Sequence, residues 1–145
     1  MLKENIGQRG KWAEKEVENT LKAFNTRASF AYFRMPDARA AMGRLSASPA
    51  DFLYFYGDRS GFIEVKSTKH AFRLPRSSFS QLPTLHKFSA AGASNILLVH
   101  HSEQNLWRVV PPEGLETDVT SWSLIHYQAW NSAERALLST DYFWN

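Results

Sequence analysis

Asp51-Phe52-Leu53-Tyr54-Phe55-Tyr56 and Gly61-Phe62-Ile63-Glu64-Val65-Lys66-Ser67, separated by Gly57-Asp58-Arg59-Ser60, read as the two arms of a β-hairpin. Both arms are rich in aromatic and β-branched residues, and the segment between them is made of turn formers. In the second arm Ile63 and Val65 alternate with Glu64 and Lys66, so the apolar pair faces one side of the sheet and both charges face the other. A two-residue turn, with Tyr56 opposite Arg59, sets Asp51 across from Glu64. A four-residue loop, with Tyr56 opposite Gly61, sets it across from Lys66 and diagonal to Glu64. Either register gathers Asp51, Glu64 and Lys66 on one face, whereas an odd-length loop separates them. Opposed residues have Cα atoms ~4.5–5.5 Å apart, close enough for two carboxylates to share a divalent cation. Without a cation they repel, and a pKa rises.

Working outward, apolar residues spaced for one helical stripe predict a helix from Lys11 to Phe24, with Gly10 just before it. Ser29 to Arg34 reads as a strand closed by Met35-Pro36, and residues 36–49 as a loop carrying Arg39 and Arg44. A second helix is expected from Ser80 to Ala91, with Pro83 in its first turn and Gly92 as its stop. Strands follow at Asn95 to His100, Leu106 to Val110 and Ser123 to Tyr127, then a helix capped near Asn131 with Glu134 at the capping-box spacing. No repeat or linker divides the chain, so residues 1–145 are expected to form a single α/β domain, a mixed sheet flanked by helices. The aromatic tail (Trp122, Tyr127, Trp130, Tyr142, Phe143, Trp144) reads either as core or as a surface that a dimer would cover.

Two further polar residues join the hairpin. Glu14 sits on the apolar stripe of the first helix with Val17, Leu21 and Phe24, where a carboxylate is rare unless paired or metal-bound. Gln81, at the start of the second helix, could orient a water or a phosphate oxygen, or simply face solvent.

Together, Pro49-Ala50-Asp51 opening one strand, Glu64-Val65-Lys66 in the next, Gly10 and Glu14 before them and Gln81 after them resemble the PD-(D/E)xK nuclease superfamily. Within it, Arg9-Gly10-Lys11-Trp12-Ala13-Glu14 and the Asp51-to-Glu64 spacing are similar to the archaeal Holliday-junction resolvases. Phe72-Arg73-Leu74 followed by Gln81-Leu82 resembles the RecU type. The RecU-type threonine two residues before the aspartate has no equivalent, and Ser48 is the nearby hydroxyl. The resemblance implies a restriction-endonuclease-like fold and a Mg²⁺-dependent endodeoxyribonuclease, with Mn²⁺ as a substitute. It places Asp51, Glu64, the Val65 carbonyl and Glu14 at the metal, with Lys66 as a point charge on the attacking water or the phosphate. Branched DNA is the implied substrate and a homodimer the implied assembly. The rival readings are a repair or restriction-type nuclease acting on another DNA structure, and a non-catalytic DNA-binding module of the same fold.

Charge agrees with an anionic partner. The net charge is +3, but residues 1–76 carry +6 and residues 77–145 carry −3. Arg9, Lys11, Arg34, Arg39, Arg44, Lys69, Arg73 and Arg76 fall at element ends and loops around the acidic residues, where phosphate contacts are expected. The chain has 145 residues, 43% of them apolar and twenty of them aromatic, too much apolar payload for a disordered chain. Its longest apolar runs are four or five residues, which argues against a membrane span, and no apolar leader opens it. The absence of cysteine excludes disulfides and thiolate zinc sites. The five histidines lack ligand spacing, and His100-His101 reads as a surface pair. No phosphate-binding glycine loop is present, so no nucleotide cofactor is expected. A cytoplasmic placement in a prokaryotic or phage-type setting is the corresponding expectation.

Overall fold

The hairpin closes with the two-residue turn. In the computed structural model, which describes residues 6–36 and 48–143, strand β2 (Phe52–Tyr56) pairs antiparallel with β3 (Arg59–Thr68), with Tyr56 opposite Arg59 and Phe52 opposite Ile63. Gly57 takes φ +63° while Asp58 stays out of the left-handed region. A glycine at the first central position is what the II′ hairpin turn requires. Glycine is also obligatory at Gly61: a Cβ there would lie 2.1 Å from the backbone oxygen of Ser94. That close approach is fixed by the Ser94 N–H bond to the Ser60 carbonyl (2.8 Å) and by the Tyr54 hydroxyl on the Ser94 carbonyl (2.7 Å).

Around this hairpin the chain adds α1 (Ile6–Phe24), β1 (Phe30–Arg34), β4 (Arg73–Pro75), α2 (Leu82–Ala90), β5 (Ile96–His101), β6 (Leu106–Val110), β7 (Ser121–Ser123) and α3 (Ala133–Leu138). Five strands form one mixed sheet in the order β1-β2-β3-β5-β6, parallel only between β3 and β5. The α/β class and the flanking of the sheet by helices are as expected. All six residues of β5 are buried, the apolar run Ile96 to Val99 as a covered central strand requires and His100 and His101 with it.

The pleat divides the core into two layers. Ile63, Val65, Ile96 and Leu98 face Ala13, Val17, Leu21 and Phe24 of α1, together with Ala136 and Leu137 of α3. Phe62, Leu97 and Val99 face Leu82 and Leu85 of α2, with Leu74 and Trp122 from the small second sheet. Trp122 and Phe143 are therefore core, which decides that alternative for these two residues.

Several boundaries differ from the expectation. Helix α1 begins at Ile6, so Gly10 lies inside it rather than before it. The expected strand at Ser123 to Tyr127 is replaced by β7, which pairs with β4 in a separate two-stranded sheet. The last helix is capped by Ser132, whose hydroxyl accepts the Arg135 N–H at 3.1 Å, not by Asn131. His100 and His101 are buried, not a surface pair. The His101 ring bonds the His70 carbonyl at 2.6 Å and Arg108 at 2.9 Å, while Arg108 also donates to the Ala71 and Tyr127 carbonyls, so one buried arginine ties the outer sheet to the main one.

Two glycine substitutions should act in opposite directions. Gly61→Val drives a side chain into the Ser94 backbone and is expected to cost stability at the upper end of about 1–3 kcal/mol. Gly10→Ala meets nothing within 4 Å and should stabilise α1 by roughly 0.5–1 kcal/mol. Urea denaturation of both variants checks this. A neutral Gly61→Val would refute the packing.

Candidate active site

Strand β2 begins at Phe52, and the residue before it has no backbone pairing with β3. Asp51 keeps its main chain in register, its carbonyl accepting the Met35 N–H at 2.8 Å. Its side chain turns to β3, where Oδ2 accepts the Val65 N–H at 2.8 Å. Beyond Ile63, β3 has no β2 partner, so Glu64, Val65 and Lys66 are central on the β5 side and open on the other. Asp51 and Glu64 are thereby brought into hydrogen-bonding contact.

Glu14 reaches the same place from α1, and its carboxyl hydrogen-bonds to Asp51. The three acids form a row with Asp51 in the middle. Burial, and then the neighbouring Glu64, push the Asp51 carboxyl up to about 8. Burial, followed by the contact with Asp51, raises Glu14 to about 7. Glu64 is almost fully buried, with Lys66 Nζ 3.6 Å from its Oε2. Lys66 is held between that carboxylate and the Phe79 ring, 5.9 Å from the ring centre.

A cleft of about 450 Å³ opens over the row, lined among others by Lys11, Glu14, Asp51, Lys66 and Gln81. Two buried atoms beside it lack hydrogen-bond partners, Glu64 Oε2 and Gln81 Oε1. Among the described residues no three acidic or imidazole side chains converge as a ready-made metal cage. A Mg²⁺ ion does not need one, because it binds through one or two carboxylates and keeps several waters. Paired carboxylates, one of them with an oxygen that accepts no hydrogen bond, fit such an ion, whose charge would offset their repulsion.

The structure thus brings Glu14, Asp51, Glu64, Lys66 and Gln81 together. The expected phosphate-binding residues divide. Lys11 and Arg34 line the cleft, although Arg34 already pairs with Glu18 at 3.2 Å and lies 3.9 Å from Glu14. Lys69 and Arg73 are exposed. Arg76 is occupied by the Phe79 carbonyl at 2.8 Å. Arg9 is buried on a different side of α1, away from the acidic row. Arg39 and Arg44 lie outside the described residues. Ser48 lines the cleft but gives its hydroxyl to the Pro36 carbonyl at 2.8 Å. Phe79, the aromatic floor under Lys66, was not singled out from sequence; its position two residues before Gln81 is the signal that could have marked it.

No protein-family model matches the chain, and no curated protein matches it in sequence. Among solved structures it is similar to Hjc of Archaeoglobus fulgidus, a Holliday junction resolvase from an archaeal hyperthermophile. The TM-score is 0.53 at 21% identity, over 85% of this chain and 94% of that one. The two chains share a fold. No helix among the described residues is long and apolar enough to cross a membrane.

The acidic row makes a pH prediction for metal-free protein. Because Asp51 and Glu14 hold protons more tightly folded than unfolded, their stabilisation is fully present below the ordinary carboxylate range and is lost as pH rises to about 8. Buried His101, held below its usual pKa first by burial, works in the opposite sense as pH falls below 6.5. Thermal melts should therefore show wild type losing more stability than Asp51→Asn between pH 5 and pH 8, with Mg²⁺ flattening the wild-type slope. Identical slopes would contradict the shared-proton row.

Proposed function

We propose that this chain is a metal-dependent DNA endonuclease and, within that class, a structure-selective Holliday-junction resolvase. The observation that carries the nuclease reading is the row Glu64, Asp51, Glu14, buried at its Glu64 end, beside Lys66 in a cleft open to a ligand the size of a phosphodiester. The fold shared with a resolvase and the basic first half of the chain support the choice of DNA. Asp51, Glu64 and the Val65 carbonyl would hold Mg²⁺, or Mn²⁺ in its place, which when bound polarises a phosphoryl oxygen and acidifies a water.

The chain's own residues do the rest. The Lys66 ammonium, fixed by Glu64 and Phe79, offers a positive charge to the attacked phosphate. The unpartnered Gln81 carbonyl oxygen can accept a hydrogen bond from a water and so orient it. Glu14 is the outermost acid of the row, with a side chain 25% exposed, and can pass a proton between the cleft and solvent. Lys11 and Arg34 at the rim meet the flanking phosphates.

Symmetric cutting of a junction needs two such sites, hence a homodimer. Phe33 and Phe55, both more than half exposed, stand diagonally on one face of β1 and β2 and give a second copy an apolar surface to cover. Replacing both by Asp should leave a monomer by sedimentation that no longer makes paired nicks. A double variant that stays dimeric would remove this surface from the interface.

The decisive experiment is a panel of four-way junction, nicked, linear duplex and single-stranded DNAs incubated with Mg²⁺. The junction should be cut by symmetric paired nicks. Asp51→Asn or Glu64→Gln should lower cleavage by on the order of 10²–10³-fold or more, with junction affinity unchanged or higher because a negative charge facing phosphate is gone. Near wild-type cleavage by either variant would refute the metal site. Equal cutting of linear duplex would remove the junction assignment and keep the nuclease.

A further inference from the structure

A second cleft, of about 190 Å³, lies on the other flank of α1, lined by Arg9, Trp12, His100, Ser102 and Asn105. Arg9 precedes Glu14 by five residues, about 140° around a helix of 3.6 residues per turn, so one helix separates this cleft from the acidic one. Both clefts lie toward the C-terminal ends of the parallel pair β3 and β5, where ligands of α/β sheets collect.

Three features define its chemistry. The first is a cluster of three rings: His100 packs, tilted, against Trp107 at 4.6 Å and against Trp12 at 4.7 Å between centroids, and the two indoles lie 6.3 Å apart. Trp107 and His100 are buried, while Trp12 is 47% exposed, so the cluster reaches the surface at one indole. The second is Arg9, more than nine-tenths buried, whose Nε makes no hydrogen bond among the described residues and whose Nη1 donates to the Ser102 hydroxyl at 3.4 Å. Among the described residues no carboxylate lies within ion-pair distance of it. The third is Asn105, held at φ +51° and bonded to His100 at 2.9 Å, which fixes the turn forming the cleft's far wall. A buried arginine without a counter-ion beside a surface indole fits a ligand with a negative group next to a flat ring.

We propose that this cleft binds a nucleotide of an unpaired DNA strand, its base stacked on the exposed Trp12 indole and its phosphate on Arg9. A paired base has its faces covered by its neighbours, so the indole selects unstacked strand, with little preference among bases. A helix with its side chains is about 10–12 Å across, a distance that a few nucleotides of strand can span. A strand leaving the acidic cleft can therefore cross α1 and end in this one. The inference rests on the DNA-binding part of the function proposed above and names the state of the DNA recognised beside the cut.

Fluorescence anisotropy of the full chain in EDTA tests it, with a fluorescein-labelled oligothymidylate and a fully paired duplex as probes. Trp12→Ala should weaken oligothymidylate binding by about 5- to 150-fold, the range base–aromatic stacking carries, and leave duplex binding unchanged; Trp12→Phe should recover most of the loss. Arg9→Gln, if it melts like wild type, should reduce the slope of log affinity against log salt on oligothymidylate by about 0.7, one phosphate on a single strand. The proposal is overturned if wild type does not bind oligothymidylate, or if Trp12→Ala binds it like wild type or loses both probes equally. A parallel Mg²⁺ cleavage assay separates the two readings. Trp12-dependent binding without cleavage of any DNA sustains this cleft and sinks the nuclease, while cleavage with a neutral Trp12→Ala sinks this cleft alone.

Discussion

One hydrogen bond, from the Val65 N–H to Asp51 Oδ2 at 2.8 Å, organises the acidic cleft. Were β2 two residues longer, that N–H would face backbone and the gap on β3 would close. Because β2 stops at Phe52, a buried donor would be orphaned, and buried backbone donors are almost always paired. A carboxylate is the strong acceptor for that position. The bond favours the charged form of Asp51, yet burial and the adjacent Glu64 outweigh it, so the carboxyl ends well above its ordinary pKa. The backbone thus pins in place a group whose charge the surroundings disfavour.

The rest of the molecule supports that arrangement from both layers. The buried row Ala13, Val17 and Leu21 seats α1 on the Ile63–Val65 side of the sheet and carries Glu14 to Asp51 across the open end of β2. On the other side, Phe79 lies against Trp122 of the outer sheet, and that sheet is tied to the core through Arg108. The residues after Pro112 are therefore part of the site's foundation: they cover the aromatic floor on which Lys66 rests.

The hairpin was legible because side chains alternate with period two, so any even loop puts Asp51, Glu64 and Lys66 on one face. Choosing between the two even registers depended on the turn conformation of Gly57 and the approach of Ser94 to Gly61, and the second is a contact between residues 33 apart that no local pattern encodes. The start of α1 was misplaced because Gly10 reads as punctuation, while packing against the sheet carries the helix through it. Strands β4 and β7 are three residues each, too short to establish a period, and exist because they pair with each other. Arg9 was grouped with the phosphate-contacting residues of the acidic cleft on proximity in sequence. Five residues along a helix is the wrong flank, and counting the angle would have separated it from Glu14.

That angle has a mechanical consequence. Glu14 and Arg9 lie on opposite flanks of one helix whose intervening buried face, through Ala13 and Val17, is locked against the sheet. The separation of the two clefts cannot change unless α1 lifts off its core, which would expose that apolar row to water. Under the functions proposed for them, the clefts are two fixed points on a rigid surface, and a DNA strand must match their spacing before its phosphate meets the acids. Selection of this kind depends on how far a strand can depart from the duplex and not on which bases it carries. On that proposal the domain can discriminate among DNA structures while tolerating sequence, because matching a fixed spacing requires strand flexibility that a branched or unpaired substrate has and a continuous duplex lacks.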